Sequence, residues 1–569
     1  MLQIKNLRID FETEQGRHTA VHDISFDVNP GEIVAVVGES GSGKSVTALS
    51  ILRLLPEKTV RYTNGHIFFA QKDPAPTDLL KAKPRYLRSV RGSKIAMIFQ
   101  EPMTSLNPVF TCGHQVMEAI LLHHTITGSA AKQQTLALFE KVQLPNPATL
   151  FNRYPHQLSG GQKQRVMIAM AMSSNPSLLI CDEPTTALDV TVQKTILQLI
   201  KKLQQDTGMG VIFITHDLGV VAEIADRVLV MYKGNIVEQA TVQDLLQHPQ
   251  HPYTRGLLAC RPVLHMKGER LPVVSDFLQN ETALNKTGNI LIREDASADI
   301  AVTDTMQQEK LIEVRSLQVW YPGKKNFLGK PADYTKAVDE VNFDVYAGET
   351  LGLVGESGCG KTTLGRALLR LVEPTGGEII FRGNNLLQYS TADLRRLRKE
   401  IQIIFQDPYS ALNPSITIGN AIQEVLQVHE LQPSARQRKE KVMELLQKVS
   451  LQPEHFNRYP HEFSGGQRQR IVIARALALN PSFIVCDESV SALDVSVQAQ
   501  VLNLLNDLKK EFRFTIIFIS HDLSVVHYIS DRIMVMQKGK IVETGMAAQV
   551  YQHPREEYTR RLIASIPKT

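Results

Sequence analysis

The chain of 569 residues is too long for a single hydrophobic core, and ordinary domain sizes predict roughly three to four domains. Apolar residues make up 43% of it and charged residues 21%, which excludes a fibrous or wholly disordered protein. The 63 basic and 58 acidic residues leave a formal net charge of +5, too small an excess to indicate nucleic acid as a partner.

The cysteines and the apolar runs bear on cellular location. Five cysteines are scattered without a CxxC pair or the Cys/His spacing of a zinc site, a pattern typical of a reducing compartment. The first residues lack the charged-then-apolar pattern of a secretory signal, and no run approaches the roughly 20 apolar residues of a membrane helix. We therefore expect a cytoplasmic protein that contacts a membrane only through partners.

Internal duplication is the most informative feature of the sequence. Arg153 to His156 recurs as Arg458 to His461, and His216 recurs as His521 at the same separation. The repeat predicts two homologous domains, residues 1–262 and 309–569. Residues 263–308, with their prolines, asparagines and acidic run, are predicted to be a flexible linker, and the glycine- and lysine-rich residues 323–334 an extra loop.

The hydrophobic pattern within each half predicts an α/β fold. Short apolar runs such as Ile33 to Val37 alternate with periodic helical stretches such as Val190 to Leu203, which indicates a mostly parallel sheet. Residues 101–157 and 407–462 are richer in helical patterns than in strand patterns. We expect them to form a helical subdomain inserted in each half.

Each half contains a glycine-rich loop of the type that binds nucleotide phosphates, the P-loop. Each loop follows an apolar run and precedes a helical segment, which is the context that a P-loop requires. Glycines let backbone N–H groups face the phosphates, the lysine reaches the β- and γ-phosphates, and the last hydroxyl helps to hold Mg²⁺. The predicted binding residues are Gly38, Ser40, Gly41, Gly43, Lys44 and Ser45, and Gly355, Ser357, Gly358, Gly360, Lys361 and Thr362.

Two adjacent carboxylates end an apolar strand in each half. Asp182 and Asp487 are predicted to support Mg²⁺, and Glu183 and Glu488 to polarise an attacking water as general bases. Taken alone, such a pair is more often a solvated strand end than a functional site. Its repetition at the separation shared by the other motifs favours the functional interpretation.

Single glutamines and histidines also follow apolar runs. Gln100 and Gln406 could contact Mg²⁺ or the water, and His216 and His521 lie where a γ-phosphate could bind. A lone histidine at a strand end is usually structural, but its repetition favours a role in catalysis.

A Ser-Gly-Gly-Gln turn opens a basic helix in each half, as Ser159, Gly160, Gly161 and Gln162 and as Ser464, Gly465, Gly466 and Gln467. Such a turn lets a phosphate approach backbone N–H groups at the positive end of a helix dipole. The alternative is an ordinary serine N-cap followed by glycines.

This ordered set of motifs, ending in the histidines and including Ala-Leu-Asp at 187–189 and 492–494, resembles the ATP-binding cassette family twice over. The resemblance implies two cassettes that close head to tail around two ATP molecules. One site would join Lys44 and its neighbours to Ser464, Gly465 and Gly466, and the other would join Lys361 to Ser159, Gly160 and Gly161. It further implies that Mg²⁺ is held by Ser45, Gln100 and Asp182 in the first cassette and by Thr362, Gln406 and Asp487 in the second. Phe11 and Tyr321 would stack on adenine.

Further stretches resemble the ATPases of bacterial dipeptide, oligopeptide and nickel importers, among them the regions after Gln100 and Gln406 and the tails around Tyr253 and Tyr558. Residues 209–231 and 488–496 are most similar to the fused ATPases of glutathione import. This implies two transmembrane permeases, an external solute-binding protein and a peripheral place on the cytoplasmic face of the inner membrane. Oligopeptide, antibiotic-peptide and nickel import are the alternatives.

The rival class is a soluble tandem cassette protein, either a translation factor or a DNA-repair ATPase. A translation factor should have a long charged helical linker and a repair ATPase zinc-spaced cysteines, and the sequence has neither. Cys260 stands alone, so no iron–sulfur cluster is predicted. Phe463 and Ser489 depart mildly from the family pattern, and both sites are expected to hydrolyse ATP.

Overall fold

A computed structural model describes residues 1–13, 16–70, 76–100, 105–186, 188–279, 309–323, 333–491 and 493–566. The chain divides into two compact units, with a boundary between Leu258 and Ala259, and each is described separately below. No helix among the described residues is long and apolar enough to cross a bilayer.

The first unit contains two sheets and ten α-helices within its described residues. The strands are β1 (Leu2–Thr13), β2 (Gly16–Val28), β3 (Ile33–Val37), β4 (Val60–Phe69), β5 (Thr77–Asp78), β6 (Ile95–Ile98), β7 (Leu178–Asp182), β8 (Gly210–Thr215), β9 (Arg227–Tyr232) and β10 (Asn235–Thr241). The helices are α1 (Lys44–Ile51), α2 (Pro84–Val90), α3 (Cys112–His123), α4 (Gly128–Lys141), α5 (Pro147–Phe151), α6 (Gly160–Ala171), α7 (Val190–Thr207), α8 (Leu218–Ile224), α9 (Val242–Gln247) and α10 (Pro252–Ala259).

The larger sheet of this unit runs in the order β10-β9-β3-β8-β7-β6 and is parallel except at β10. Strand β3 reads Ile-Val-Ala-Val-Val and is buried at every position, as expected for a strand covered on both faces. The register pairs Val37 with Thr215, and Asp182 with Ile214. The loops that follow β3, β7 and β8 therefore leave the sheet at the same edge, which is where ligands bind in parallel sheets.

The second sheet is antiparallel, in the order β2-β1-β4-β5, and packs its apolar side into one of the two cores of the unit. The other core joins α6 and α7 to the helices α3, α4 and α5. These three helices lie in the region predicted to form an inserted helical subdomain, and the prediction is confirmed for the described residues.

The second unit repeats this plan. Its strands are β11 (Lys310–Pro322), β12 (Tyr334–Tyr346), β13 (Thr350–Val354), β14 (Gly376–Phe381), β15 (Asn384–Asn385), β16 (Ile401–Ile404), β17 (Phe483–Asp487), β18 (Thr515–Ser520), β19 (Arg532–Gln537) and β20 (Lys540–Met546). Its helices are α11 (Val274–Gln279), α12 (Lys361–Leu368), α13 (Thr391–Leu397), α14 (Pro408–Ala411), α15 (Ile418–Val428), α16 (Ala435–Lys448), α17 (Gly465–Leu477), α18 (Val495–Phe512), α19 (Leu523–Ile529), α20 (Ala547–Gln552) and α21 (Glu557–Ala564). The sheet orders, β12-β11-β14-β15 and β16-β17-β18-β13-β19-β20, mirror those of the first unit.

Residues 259–279, which we call the connector, belong to the second unit, although the sequence predicted that a flexible linker begins at residue 263. The amide side chain of Asn503 accepts from the N–H of Leu271 at 3.0 Å and donates to its carbonyl at 2.8 Å. The hydroxyl of Tyr528 donates to the carbonyl of Glu269 at 2.7 Å. The first part of the predicted linker is therefore ordered against α18 and α19.

Several sequence predictions fall outside the described residues. They are the remainder of the linker at 280–308, most of the loop at 323–334, residues 101–104 after Gln100, and the alanines of the two Ala-Leu-Asp motifs.

Candidate active site

Each P-loop has a backbone that only glycine accommodates at its ends. Gly38 has φ 154°, and a Cβ there would lie 2.2 Å from the carbonyl oxygen of Met231. Gly43 has φ 100°, and a Cβ there would lie 2.8 Å from the carbonyl oxygen of Ala20. Gly355 and Gly360 repeat both restrictions in the second unit. The glycine spacing is thus required by close backbone approach.

The P-loop lysines are buried and held by their own loops. The ammonium of Lys44 donates to the carbonyls of Gly38 at 2.7 Å and Glu39 at 2.9 Å. Lys361 makes the same two bonds, at 2.7 and 3.0 Å, to residues 355 and 356. Helix α1 begins at Lys44 without a side-chain cap, which leaves its N-terminal N–H groups oriented to bind a phosphate.

A hydroxyl and a carboxylate meet beside each lysine. Ser45 donates to Asp182 at 2.9 Å, and burial, the largest influence, raises the pKa of Asp182 to about 6. Thr362 donates to Asp487 at 2.9 Å, and burial again raises the pKa of this carboxyl. The Oδ2 atom of Asp487 is buried with no hydrogen-bond partner among the described residues. A hydroxyl, a carboxylate and an unsatisfied oxygen suit Mg²⁺, which prefers oxygen ligands.

Glu183 has an uncommon backbone conformation that orients its side chain. Its φ of 47° is left-handed, and its N–H donates to the carbonyl of Ile214 on β8 at 3.0 Å. Strained conformations of this kind are concentrated at functional sites. The turn directs the carboxylate towards the residue after β8, and its Oε2 lies 3.4 Å from Nδ1 of His216.

The Glu183 carboxylate also accepts hydrogen bonds from Gln100 at 3.2 Å and from Thr186 at 2.9 Å. Burial opposes its ionisation, but the hydrogen bond and charge of His216, with Lys44 and Thr186, lower its pKa to about 2. The adjacent carboxyls of residues 182 and 183 therefore have pKa values displaced in opposite directions.

Glu488 repeats this arrangement. It has φ 46°, accepts from Gln406 at 2.8 Å and lies 3.5 Å from Nδ1 of His521. Lys361 lies 3.9 Å from its Oε1, and the charge of Lys44 likewise acts on Glu183. One difference is that Ser491 donates to the main-chain carbonyl of Glu488, whereas Thr186 donates to the carboxylate of Glu183.

The Ser-Gly-Gly turns are N-caps with a capping box. Ser159 accepts from the N–H of Gln162 at 3.3 Å, and the Gln162 side chain accepts from the N–H of Ser159 at 3.1 Å. The turn at Ser464 and Gln467 is built in the same way. The N-cap interpretation is confirmed, and the binding of a phosphate by the first turns of α6 and α17 stays a prediction.

The two glycines of each turn differ in their surroundings. A Cβ on Gly161 would lie 2.6 Å from Val192 Cγ1, and one on Gly466 only 2.2 Å from Val497 Cγ1, so both allow close packing on the following helix. A Cβ on Gly160 would come no closer than 3.4 Å to Leu188. The first glycine of the turn is therefore not required for packing.

The predicted aromatics occupy equivalent positions in the antiparallel sheets. Phe11 pairs with His18, and Tyr321 pairs with Thr335. Phe11 packs partly into the core, whereas the Tyr321 side chain is exposed. Their stacking on adenine stays a prediction, as does the pairing of each Ser-Gly-Gly turn with the opposite P-loop.

Two tyrosines reach the site from the tails, and the sequence did not predict this role for them. The N–H of Glu39 donates to the hydroxyl of Tyr253 at 2.9 Å, and that of Glu356 donates to Tyr558 at 3.0 Å. The shared Tyr-Thr-Arg sequence of the two tails was the available signal, but it gave no indication of a contact with the P-loop.

The family model of the ABC transporter matches residues 21–186 and 338–491. The chain belongs to the ABC transporter family. As an ABC protein with two cassettes, it is an ATP-binding ATPase. The catalytic role of Glu183 and Glu488 stays a prediction. Residues 237–288 also match the model of the oligopeptide/dipeptide transporter C-terminal region.

Among curated proteins, this ABC chain is 50% identical to the glutathione import ATP-binding proteins of Pectobacterium atrosepticum and Escherichia coli. Each alignment spans 100% of this chain and 89% of the relative. Among solved structures, a dimeric ATP-binding cassette with ADP and Pi is 26% identical, with a TM-score of 0.38, and covers 42% of this chain and 98% of its own. A cassette from Clostridium perfringens, part of an ABC transporter complex, is 25% identical with the same TM-score and covers 43% of this chain and 92% of its own.

Proposed function

We propose that this ABC chain is the ATP-hydrolysing subunit of a bacterial importer and that it drives the uptake of glutathione or small peptides. The observation that carries the proposal is the identity of 50% along the whole chain to glutathione import ATP-binding proteins. The match of residues 237–288 to the oligopeptide/dipeptide transporter region favours dipeptides and oligopeptides as the second candidate cargo.

The proposed reaction begins with binding of the ATP phosphates at each P-loop. Lys44 and the N–H groups at the start of α1 bind the β- and γ-phosphates, and Phe11 or Tyr321 stacks on the adenine. Mg²⁺, when bound, neutralises charge that develops on the phosphates. Ser45, Asp182 and Gln100 would hold it in the first cassette, and Thr362, Asp487 and Gln406 in the second.

Hydrolysis needs a residue that orients the attacking water. Glu183 is ionised at neutral pH, since its pKa is about 2, and it accepts a hydrogen bond from that water. Such a low pKa makes it a weak base, so its contribution is orientation first and proton acceptance late in the reaction. His216, held beside this carboxylate, contacts the γ-phosphate.

The Ser-Gly-Gly turn of each cassette completes the phosphate site of the other. This pairing explains why each turn lacks a lysine of its own, and it makes closure of the two cassettes dependent on ATP. Disabling Ser159 should then impair the nucleotide held by Lys361, while the nucleotide held by Lys44 stays bound.

Closure would move two transmembrane permeases, and one of their helices would dock in a groove lined by residues between 409 and 424 and by Arg475. The cavity has a volume of about 670 Å³, and its lining includes Tyr409, Glu424 and Arg475. Tyr409 is 63% exposed, and the guanidinium of Arg468 lies 3.7 Å from the centroid of its ring. The permeases and an external solute-binding protein would select the cargo at the cytoplasmic membrane of the cell.

The deciding experiment is uptake of labelled glutathione, dipeptides and Ni²⁺ by cells with and without this chain. We expect glutathione uptake to be lost without it and to be restored by the wild-type chain but not by a Glu183→Gln, Glu488→Gln double variant. Loss of dipeptide or Ni²⁺ uptake with glutathione uptake intact would overturn the assignment of glutathione.

A further inference from the structure

Each cassette has a tail helix whose buried tyrosine contacts its P-loop. Tyr253 lies in α10 and Tyr558 in α21, and their hydroxyls accept from the N–H groups of Glu39 and Glu356 at 2.9 and 3.0 Å. The same contact occurs in both copies of the repeat, at equivalent positions of the loop. It is therefore part of the cassette design in this chain.

One peptide group joins this tyrosine to the P-loop lysine. The N–H of Glu39 and the carbonyl of Gly38 belong to the same planar unit. That carbonyl accepts from the ammonium of Lys44 at 2.7 Å, while the N–H on the opposite side donates to Tyr253. Because the unit is rigid, a rotation that breaks one bond breaks the other.

The tyrosine is fixed independently of the loop. The Glu238 carboxylate accepts from the N–H groups of Gln250 at 2.7 Å and His251 at 3.0 Å, which anchors the start of the tail helix. The Tyr253 side chain is fully buried, with its ring centroid 4.3 Å from that of Tyr232. Glu543 anchors the second tail through the N–H groups of residues 555 and 556, at 2.8 and 3.2 Å.

We propose that Tyr253 and Tyr558 are positioning residues for ATP, which orient the first peptide of each P-loop and through it the lysine ammonium. A lysine that is already oriented loses less freedom when it binds phosphate. This orientation of the lysine favours phosphate binding equally in the ground state and in the transition state. Loss of the tyrosine hydroxyl should therefore raise KM and leave kcat nearly constant. The inference rests on nucleotide binding at the P-loops and is independent of the cargo.

The test compares two variants of the full chain in a Lys361→Ala background, in which the site of Lys44 dominates tight binding. Tyr253→Phe keeps the ring and removes the acceptor of the Glu39 N–H. Thr254→Val removes the bond from the Thr254 hydroxyl to the Glu238 carboxylate, in the same helix, without touching the loop. Binding of a fluorescent ATP analogue, ATPase kinetics and thermal unfolding are measured for each.

We expect Tyr253→Phe to raise the Kd of the analogue and the KM for ATP about tenfold, with kcat changed by less than about twofold. Thr254→Val should lower the thermal midpoint but leave KM unchanged. Tyr558→Phe in a Lys44→Ala background repeats the test if the first variant does not fold. An unchanged KM, or an equal rise in KM for Thr254→Val, would overturn the inference. Failure of the wild-type chain to bind ATP would instead refute the nucleotide site itself.

Discussion

Replacement of Asp182 by asparagine should stabilise the first cassette in the absence of Mg²⁺ and nucleotide. Burial raises the pKa of this carboxyl from 3.8 to about 6, so the folded state holds its proton more tightly than the unfolded state does. Its contribution to stability is fully present below pH 3.8 and is lost as the pH rises through about 6. At pH 8 the ionised carboxylate therefore opposes folding.

The size of the effect follows from the shift of about two pKa units, which corresponds to about 3 kcal/mol at 1.36 kcal/mol per unit. Asparagine keeps an acceptor for Ser45 but carries no charge, so we expect a gain of about 1–3 kcal/mol at pH 8. For a domain of this size, that is a rise in the thermal midpoint of about 2–10 °C.

The assay is calorimetry of the full chain with EDTA at pH 5 and pH 8, in which the transition of the first cassette is followed. The advantage of the variant should be larger at pH 8 than at pH 5. Asp487→Asn is the matched variant of the second cassette, where burial raises the pKa in the same direction. A variant no more stable than wild type at pH 8, with no dependence on pH, would show that burial does not destabilise the ionised carboxylate. With ATP and Mg²⁺ present the order should reverse, because the variant lacks a metal ligand.

The remaining predictions concern catalysis, packing at the Ser-Gly-Gly turn and the hydrogen bonds of the connector. Glu183→Gln should lower phosphate release from its site about 10²–10⁴-fold while ATP binding persists, and Glu488→Gln should do the same in the second cassette. Gly161→Ala should lower the free energy of unfolding by about 1–3 kcal/mol in calorimetry, because its Cβ would lie 2.6 Å from a neighbouring methyl. Gly160→Ala should unfold like wild type but lose ATPase activity. Asn503→Ala should destabilise the second unit by about 2–4 kcal/mol, since it removes two buried hydrogen bonds, and should increase amide exchange at residues 266–279.

Each of these predictions has a control variant or an outcome that would contradict it. A harmless Glu183→Gln or Glu488→Gln change would contradict two equivalent sites. Val192→Ala should restore the stability of Gly161→Ala, and failure to do so would contradict the packing argument. Asp507→Asn removes the exposed ion pair with Arg270 and should change stability by less than about 1 kcal/mol. If Asp507→Asn destabilises the second unit as much as Asn503→Ala does, the buried amide of Asn503 is not what holds the connector.

The parts of the site that sequence predicted are those fixed by strand ends. The loops after β3, β7 and β8 carry their motifs to one edge because parallel strands end there in register. The backbone of Glu183 could not be predicted, since glutamate rarely adopts a left-handed conformation and no neighbouring glycine signals it. The contact of Tyr253 with Glu39 joins residues 214 positions apart and depends on how the tail helix packs.

The connector was missed for a different reason. Its prolines, glycine and polar residues have linker composition, and its order comes from the side chain of Asn503 pairing with a main-chain peptide. Because these hydrogen bonds use the main chain of Leu271, they require no particular side chain in the connector and leave no sequence pattern there. Composition alone therefore placed the start of the linker too early in the chain.

The connector has a consequence for dividing the polypeptide. A break between residues 280 and 308 would leave it attached to the first cassette, and its docking on the Asn503 face of the second would become an encounter between two molecules. In the intact chain the same docking is intramolecular, so it does not depend on the protein concentration. In the cut protein, docking is governed by the dissociation constant between the two pieces. Two separately expressed pieces should therefore associate only at protein concentrations near that dissociation constant or above it.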